Sequence, residues 1–261
     1  MCLCYNSRVK NKKSLGQHWL KDREILTEIA LTGAEVAGED TVALEIGPGL
    51  GTLTSALLRQ FSRVISVEFD AELAEKLPKQ FVGANLEVVN ADFLTFDLTG
   101  LKDYVVVANI PYYITAKIIQ RLVEAEVSPK RAVLLVQKEV AERVASREKS
   151  SLLSLMVAER ATASLGVFVG RELFTPPPKV DSQVLILDFA QERRLTDGER
   201  KKFWRVVKAG FSKPRKKLEN NLRMVAEEAK ISAAFGELGI AENARAEDLN
   251  FDTWKKLAFA L

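Results

Sequence analysis

Cysteine and histidine are scarce in this chain. Its 261 residues include two Cys and one His, and a single residue separates Cys2 from Cys4. Two cysteines so placed give neither a disulfide framework nor a four-ligand metal site. The lone His18 has no second His and no nucleophile partner with which to build a triad or a metal site. We therefore expect a protein of a reducing compartment with no bound metal.

Long hydrophobic runs are also missing. No apolar run approaches the roughly 20 residues that a membrane-spanning helix needs. Residues 1–13 lack the apolar stretch of a secretory signal. These absences predict a cytoplasmic protein.

Positive charge is concentrated towards the two ends, although the net charge is only +3. Residues 1–21 contain five Lys or Arg and no acid, and residues 191–225 contain twelve against four Asp or Glu. Two basic ends are suited to a polyanion, because each neutralised phosphate releases counterions. The alternative is a pair of solvated basic faces with no partner.

Short runs rich in Val, Ile and Leu alternate with amphipathic helical patterns as far as about residue 160. The runs predict strands over 41–46, 63–67, 86–89, 104–108 and 131–137. The helical patterns between them cover 52–60, 70–81 and 115–125, and Pro78 is expected to end or kink the second helix. This alternation predicts an α/β fold with a doubly wound, mostly parallel sheet.

The segments before and after these strands in sequence show other patterns. Asp22 is placed to cap a helix that buries Ile25, Leu26 and Ile29. Residues 174–178 (FTPPP) predict an extended link, because prolines exclude helix from their neighbours. Residues 180–189 then alternate as a final strand does.

From about residue 191 only helix-period patterns remain, such as Phe203, Val206, Val207 and Gly210. We therefore predict a larger domain over 1–190, with 1–13 as a basic arm, and a small all-α domain over 191–261.

Three glycines at alternate positions, Gly47, Gly49 and Gly51, follow the first strand and open the next helix. Such a turn lets a nucleotide-like cofactor approach the backbone. The spacing is G-x-G-x-G rather than G-x-G-x-x-G, and no P-loop lysine follows. This favours S-adenosylmethionine (SAM), which has no pyrophosphate, and the alternative is a plain tight turn.

Acidic residues end the next two strands. Glu68 follows the glycines by about 20 residues, where an acid accepts the ribose hydroxyls of a bound nucleotide. Asp92 can accept a hydrogen bond from an adenine amine, and Phe93 can flank the ring. Taken singly, each carboxylate also fits an ordinary cap or turn.

A fourth strand ends in Asn109, Ile110, Pro111 and Tyr112. An amide oxygen, a backbone carbonyl and an aromatic face suit a planar base that carries an exocyclic amine. The alternative is a capped type I turn. With a methyl donor beside it, this segment predicts an N-methyltransferase that acts on a nucleobase.

The chain resembles the ribosomal RNA adenine dimethyltransferase family, the KsgA type that modifies small-subunit rRNA. The matching segments are 13–20 (KSLGQHWL), 44–51 (LEIGPGLG), Glu68, 91–93 (ADF), 109–112 (NIPY), 137–139 (QKE), 174–182 (FTPPPKVDS) and 211–222 (FSKPRKKLENNL). The resemblance implies a Rossmann-like seven-stranded catalytic domain and a helical rRNA-binding domain. It also implies N6,N6-dimethylation of two adjacent adenines in a hairpin loop near the 3′ end of small-subunit rRNA.

The resemblance assigns donor binding to six positions: His18, Leu20, Gly47, Glu68, Asp92 and Asn109. The family most often has Asn where His18 stands, and bacterial members often have Asn or Gln where Tyr113 stands. Tyr112 is expected to stack on the target base. Phe174 either forms the opposite wall of the base pocket or belongs to a structural linker.

The candidate contacts to rRNA phosphates are Lys213, Arg215, Lys216, Lys217 and Arg223. The expected partner is small-subunit rRNA within a precursor particle, bound by a monomer. The rivals are an Erm-type enzyme of large-subunit rRNA, and a non-catalytic assembly factor or transcription factor on the same fold.

Overall fold

The computed structural model describes residues 17–190 and 192–261. The predictions for the basic arm 1–13, for Cys2 and Cys4 and for the first residues of the 13–20 motif lie outside the described residues. Residue 191, at the predicted domain boundary, does so as well.

Nine strands form within the described residues. They are β1 (Trp19–Leu20), β2 (Val42–Ile46), β3 (Arg63–Glu68), β4 (Leu86–Asn90), β5 (Tyr104–Asn109), β6 (Arg131–Gln137), β7 (Ala161–Val169), β8 (Phe174–Thr175) and β9 (Ser182–Phe189). Seven of them make one sheet in the order β4-β3-β2-β5-β6-β9-β7, and β1 pairs separately with β8.

Ten α-helices accompany the strands in the same part of the chain. They are α1 (Arg23–Ala34), α2 (Thr52–Leu57), α3 (Ala71–Lys76), α4 (Thr115–Glu124), α5 (Lys138–Ala145), α6 (Leu152–Ala158), α7 (Asp197–Gly210), α8 (Leu218–Leu222), α9 (Glu228–Leu238) and α10 (Phe251–Ala260). No helix in the ranges 17–190 and 192–261 is long and apolar enough to cross a membrane.

The predicted doubly wound sheet is confirmed. Strands β2 to β6 pair in parallel, whereas β9 runs antiparallel to both β6 and β7. Each of the five predicted parallel strands matches its observed bounds to within one residue. The β5 run is fully buried from Tyr104 to Ala108, because helices cover both faces of a parallel sheet.

The helix predicted over 70–81 is shorter in the structure. Asp70 caps it by accepting a hydrogen bond from the Glu72 amide at 3.1 Å, and α3 ends at Lys76. Pro78 then begins a 3₁₀ turn, since its ring cannot continue the α-helical hydrogen bonds. The cap expected at Asp22 is present too, with bonds of 3.0 Å from the Glu24 and Ile25 amides.

Helices α7 to α10 enclose a separate apolar core around Phe203 and Trp254, both fully buried. Gly210 ends α7 against this core, and a Cβ atom there would lie 2.3 Å from the Trp254 ring. Only glycine therefore fits at this crossing.

A buried carboxylate joins this helical portion to the sheet. Glu159, directly after α6, is 0% exposed. It accepts a hydrogen bond from the Trp204 indole at 3.0 Å and forms ion pairs with Arg193 and Arg200. All three partners belong to the chain beyond residue 191, so the two portions share one buried polar cluster.

Candidate active site

The carboxyl ends of β2, β3, β4 and β5 meet at one edge of the sheet. Ile46 lies opposite both Val67 and Ala108, and Glu68 lies opposite Asn90. Between β2 and β5 the chain changes direction across the sheet, and ligands bind at this kind of switch point in open α/β folds.

A cavity of about 270 Å³ opens at this edge. Its walls come from the segment before β1, the glycine turn, the ends of β3 and β4, and the segment after β5. The predicted site residues that line it are His18, Gly47, Gly49, Glu68, Asp92, Phe93, Asn109, Ile110, Pro111 and Tyr112. The register of the strands thus brings together side chains that are far apart in sequence.

The glycine turn has a left-handed backbone, with φ of +65° at Gly47, +57° at Gly49 and +80° at Gly51. A Cβ on Gly47 would enter open space, so nothing in the protein hinders a ligand there. A Cβ on Gly51 would lie 2.7 Å from Leu77 instead. Gly51 does not line the cavity and serves the packing of α2.

Glu68 ties the end of β3 to the glycine turn. The side chain is 6% exposed, and its two oxygens accept the Gly49 amide at 3.0 Å and the Asp70 amide at 2.8 Å. Burial raises the pKa of this carboxyl group. Each oxygen keeps a lone pair that can accept a ligand hydroxyl.

The ends of β3 and β4 supply an aromatic residue that the sequence analysis missed. Phe69 lines the cavity and is 64% exposed, whereas the predicted Phe93 is only 4% exposed. The available signal was an aromatic residue directly after Glu68, at a position where a surface turn is usually polar.

Asp92 accepts the Leu94 amide at 2.9 Å through one oxygen.

Glu45 is a second missed residue of the cavity. One carboxyl oxygen accepts hydrogen bonds from Thr54 and Ser66, both at 2.7 Å. The other oxygen is buried and has no partner among the described residues. Burial is the main cause that raises the pKa of Glu45 to about 7. An unpartnered carboxyl oxygen at the wall of a cavity suits a cationic ligand group.

Glu45 should make the stability of the ligand-free protein depend on pH. Its pKa is raised from 4.5 to about 7, so its contribution is fully present below pH 4.5 and is lost as pH rises through 7. We expect the free energy of unfolding to fall by roughly 3 kcal/mol across this window. Glu45→Gln should remove this fall. Urea unfolding at pH 5 and pH 7.5 measures it, with Glu28→Gln at an exposed position of α1 as the control. An unchanged slope in Glu45→Gln would contradict the assignment.

The Asn109 side chain has a defined orientation. Its amide nitrogen donates to the His18 carbonyl at 3.1 Å. Since a carbonyl oxygen only accepts, this contact fixes which end of the amide faces His18. The Asn109 oxygen is therefore free to accept a hydrogen bond from a ligand in the cavity.

Tyr112 is held from two directions. Its hydroxyl shares a hydrogen bond of 2.7 Å with Ser182, and its ring lies nearly parallel to the His18 ring, 6.1 Å between centroids. The His18 ring in turn donates to the Pro176 carbonyl at 2.7 Å. Burial raises the pKa of Tyr112, so the phenol stays neutral. The aromatic ring is thus fixed at the cavity.

Besides Gly51, the predicted site residues Leu20 and Phe174 also do not line the cavity. Leu20 and Phe174 are 0% and 2% exposed and face each other in the β1–β8 pair. Both belong to the core on the α1 and α2 side of the sheet. Both side chains are used in packing of the β1–β8 pair, and the pair places His18 at the cavity wall.

The predicted phosphate contacts lie in the helical portion. Lys213, Arg215, Lys216 and Lys217 are exposed between α7 and α8, and none forms a salt bridge with another described residue. Arg223 differs, because it pairs with Glu219 and Glu228. We call residues 211–217 the basic turn.

A family model described as Ribosomal RNA adenine dimethylase matches residues 8–260. The chain belongs to that family. It is therefore an enzyme with the fold of SAM-dependent methyltransferases, and the family expected from the sequence is confirmed.

Relatives of this ribosomal RNA adenine dimethylase extend over nearly the whole chain. Proteins named Ribosomal RNA small subunit methyltransferase A are 38% identical in Nostoc sp., over 96% of this chain and 97% of the relative. In Thermosynechococcus vestitus the identity is 37%, with 97% of each chain covered.

Two solved structures share the fold of this adenine dimethylase. The 23S rRNA methyltransferase ErmE superposes with a TM-score of 0.79 at 31% identity, over 93% of this chain and 99% of ErmE. A dimethyladenosine transferase from Plasmodium falciparum gives a TM-score of 0.77 at 27% identity, over 92% of this chain and 96% of that one.

Proposed function

We propose that this enzyme transfers methyl groups from SAM to N6 of two adjacent adenines in the 3′-terminal hairpin loop of small-subunit rRNA, as a step of small-subunit biogenesis. Asn109 carries the proposal for the chemistry, because it lines the cavity at the end of β5 and its amide nitrogen is bonded to the His18 carbonyl, which leaves its oxygen as the acceptor. The relatives named Ribosomal RNA small subunit methyltransferase A support the choice of subunit.

The cavity fits SAM in five respects. The open backbone at Gly47 lets the donor approach, and Glu68 accepts its ribose hydroxyls through the remaining lone pairs. The unpartnered oxygen of Glu45 would accept a hydrogen bond from its ammonium group. Asp92 accepts the adenine amine, and the exposed ring of Phe69 offers a stacking surface beside Phe93. When bound, SAM supplies an electrophilic methyl group.

Residues 109–112 position the acceptor nitrogen. The Asn109 oxygen and the Ile110 carbonyl accept the two N–H bonds of the adenine amine, which directs the nitrogen lone pair towards the methyl group. As the N–C bond forms, the methyl–sulfur bond breaks, and one amine proton leaves to water. The amine becomes acidic only once it is methylated, so no strong base is required. Positioning and electrostatic complementarity therefore carry most of the catalysis.

Tyr112 supports the target base by stacking. Tyr112→Ala should lower kcat by about 10- to 100-fold, since stacking on an aromatic side chain is worth ~1–3 kcal/mol per base. The dissociation constant of SAM should change much less. Tyr112→Phe keeps the ring and loses only the bond to Ser182, so it should retain most activity. Single-turnover kinetics and SAM titration measure the two effects, and equal losses in both would oppose the stacking role.

The helical portion binds the rRNA. We divide the chain into a catalytic domain over 1–190 and a helical rRNA-binding domain over 191–261. The enzyme acts as a cytoplasmic monomer on a precursor of the small subunit. The cations of the basic turn bind phosphates and position the RNA without reading its sequence, and the target adenines lie unpaired in a loop.

Mapping of the methylated nucleotides tests this function. Undermethylated small subunits, naked small-subunit rRNA and large subunits are each incubated with the enzyme and labelled SAM. Dimethylation of two adjacent adenines in the 3′-terminal loop of the small subunit is expected. Label confined to other nucleotides would overturn the proposal.

The resemblance to ErmE makes large-subunit rRNA the competing substrate. Primer extension on both rRNAs from a strain that lacks the gene distinguishes the two. Loss of a large-subunit mark, with the small-subunit loop unchanged, would favour the Erm-type activity.

A further inference from the structure

The basic turn has a defined backbone. The Lys216 amide donates to the Lys213 carbonyl at 2.9 Å, and the Leu218 amide donates to Ala244 at 2.8 Å. At the other end, the Phe211 ring stacks on Trp254, 5.7 Å between centroids. The four free cations are thus mounted on a loop that is anchored at both ends.

One uncharged side chain connects α8, which follows the basic turn, to the residues at the start of the turn. Asn221, on α8, is 2% exposed. Its amide nitrogen donates to the Gly210 carbonyl at 2.6 Å and to the Lys213 carbonyl at 3.1 Å. Gly210 is the last residue of α7, and Lys213 is the first cation of the turn. A single buried amide therefore sets the path of the chain as it leaves α7.

Neither Gly210 nor Lys213 can easily replace this contact. The Gly210 carbonyl is at a helix end, where carbonyl groups lack an intrahelical partner. Close packing of Gly210 on Trp254 fixes its position. Loss of the Asn221 amide would leave the Gly210 carbonyl without this donor and the Lys213 carbonyl with the Lys216 amide alone, and this favours a rearranged or mobile turn.

We propose that Asn221 is a positioning residue for rRNA binding, which holds the basic turn so that Lys213, Arg215, Lys216 and Lys217 present one fixed array of charges to the phosphate backbone. The inference rests on the proposed role of the turn in rRNA binding. A loop already fixed in its bound conformation loses less conformational entropy on binding. Removal of the amide should therefore weaken rRNA binding although no charge is removed.

The decisive variants are Asn221→Ala and its neighbour Asn220→Ala. Asn220 is exposed, so its replacement matches the chemistry and leaves the anchoring intact. With undermethylated small subunits, Asn221→Ala should raise KM about tenfold, leave kcat at saturation within about twofold and leave SAM affinity unchanged. Asn220→Ala should resemble wild type. A wild-type KM in a folded Asn221→Ala would overturn the proposal.

A double-mutant cycle separates positioning of the turn from general damage to the helical core. In a variant with all four cations replaced by Gln, Asn221→Ala should add no further increase in KM, because there is no array left to hold. An equal added loss would mean that Asn221 acts by another route, and would overturn the inference alone. A wild-type KM in the four-Gln variant would instead reject the turn as an rRNA contact, and the inference with it.

Asn221→Ser provides a second variant if the alanine protein does not fold. A serine hydroxyl can donate to only one of the two carbonyls, so its KM should lie between those of wild type and alanine. The thermal midpoint and SAM affinity report folding of each variant. A folded serine variant with wild-type KM would also count against the proposal. Methyl mapping with the wild-type enzyme tests the proposed function independently of all these variants.

Discussion

Replacement of Asn109 by alanine is expected to lower kcat by about 100- to 1000-fold, the loss typical of removing one preorganised polar group from a transition state. The alanine variant lacks the oxygen that we propose accepts the adenine N–H bond, so the nitrogen lone pair should no longer be directed at the methyl group. SAM affinity should fall far less, because Glu68, Asp92 and the glycine turn remain. Single-turnover methylation of undermethylated small subunits measures the rate.

The control for Asn109→Ala is the replacement of an asparagine whose side-chain amide lies outside the cavity. Asn85 donates to the Ser62 carbonyl at 2.8 Å and lies just before β4, at the opposite edge of the sheet. Asn85→Ala should retain wild-type kcat. If Asn109→Ala kept more than about a tenth of wild-type kcat, its oxygen would not be the acceptor that the mechanism requires.

Neutralisation of the basic turn should have the largest effect on rRNA binding. With Lys213, Arg215, Lys216 and Lys217 all changed to Gln, up to four phosphate contacts are lost. The slope of log K against log salt should become shallower by about 3, and affinity near physiological salt should fall roughly 100-fold or more. Binding to small-subunit rRNA is measured across a salt series.

An equal change of charge elsewhere tests whether position matters. Arg59, Arg63, Lys102 and Lys130 are exposed and lie at the amino edge of the sheet, away from the cavity. Their replacement by Gln should change the salt slope by much less than the turn variant does. Equal slopes in the two variants would mean that the basic turn affects rRNA binding only through the net charge of the protein.

The strand pattern predicted the edge of the sheet at which the site forms. Val, Ile and Leu runs fixed β2 to β6 closely, and the polar residues directly after them had to meet once these strands paired in parallel. The placement of Glu68 and Asn109 at one cavity follows from this local pattern and from topology. Neither step requires knowledge of side-chain packing.

The features of the site that the sequence did not predict depend on packing between distant segments. β1 and β8 have two residues each, too short for a periodic pattern, yet their pairing buries Phe174 and brings His18 to Tyr112. In the sequence, Glu45 is one more residue of the glycine motif. Only the structure shows that Thr54 and Ser66 donate to one of its oxygens and that the other has no partner among the described residues. Asn221 likewise looks like part of a basic signature, and only the fold places its amide between two carbonyls.

The ion cluster at Glu159 has a consequence for the choice of substrate. A carboxylate with no exposure, shared by two guanidinium groups and an indole, costs several kcal/mol to pull apart. We therefore expect no hinge motion at this contact, and the basic turn should keep a constant distance from the cavity. If the basic turn binds rRNA phosphates as proposed, we expect an RNA to be a substrate only when its bound phosphates and its unpaired adenines are separated by the distance between the turn and the cavity.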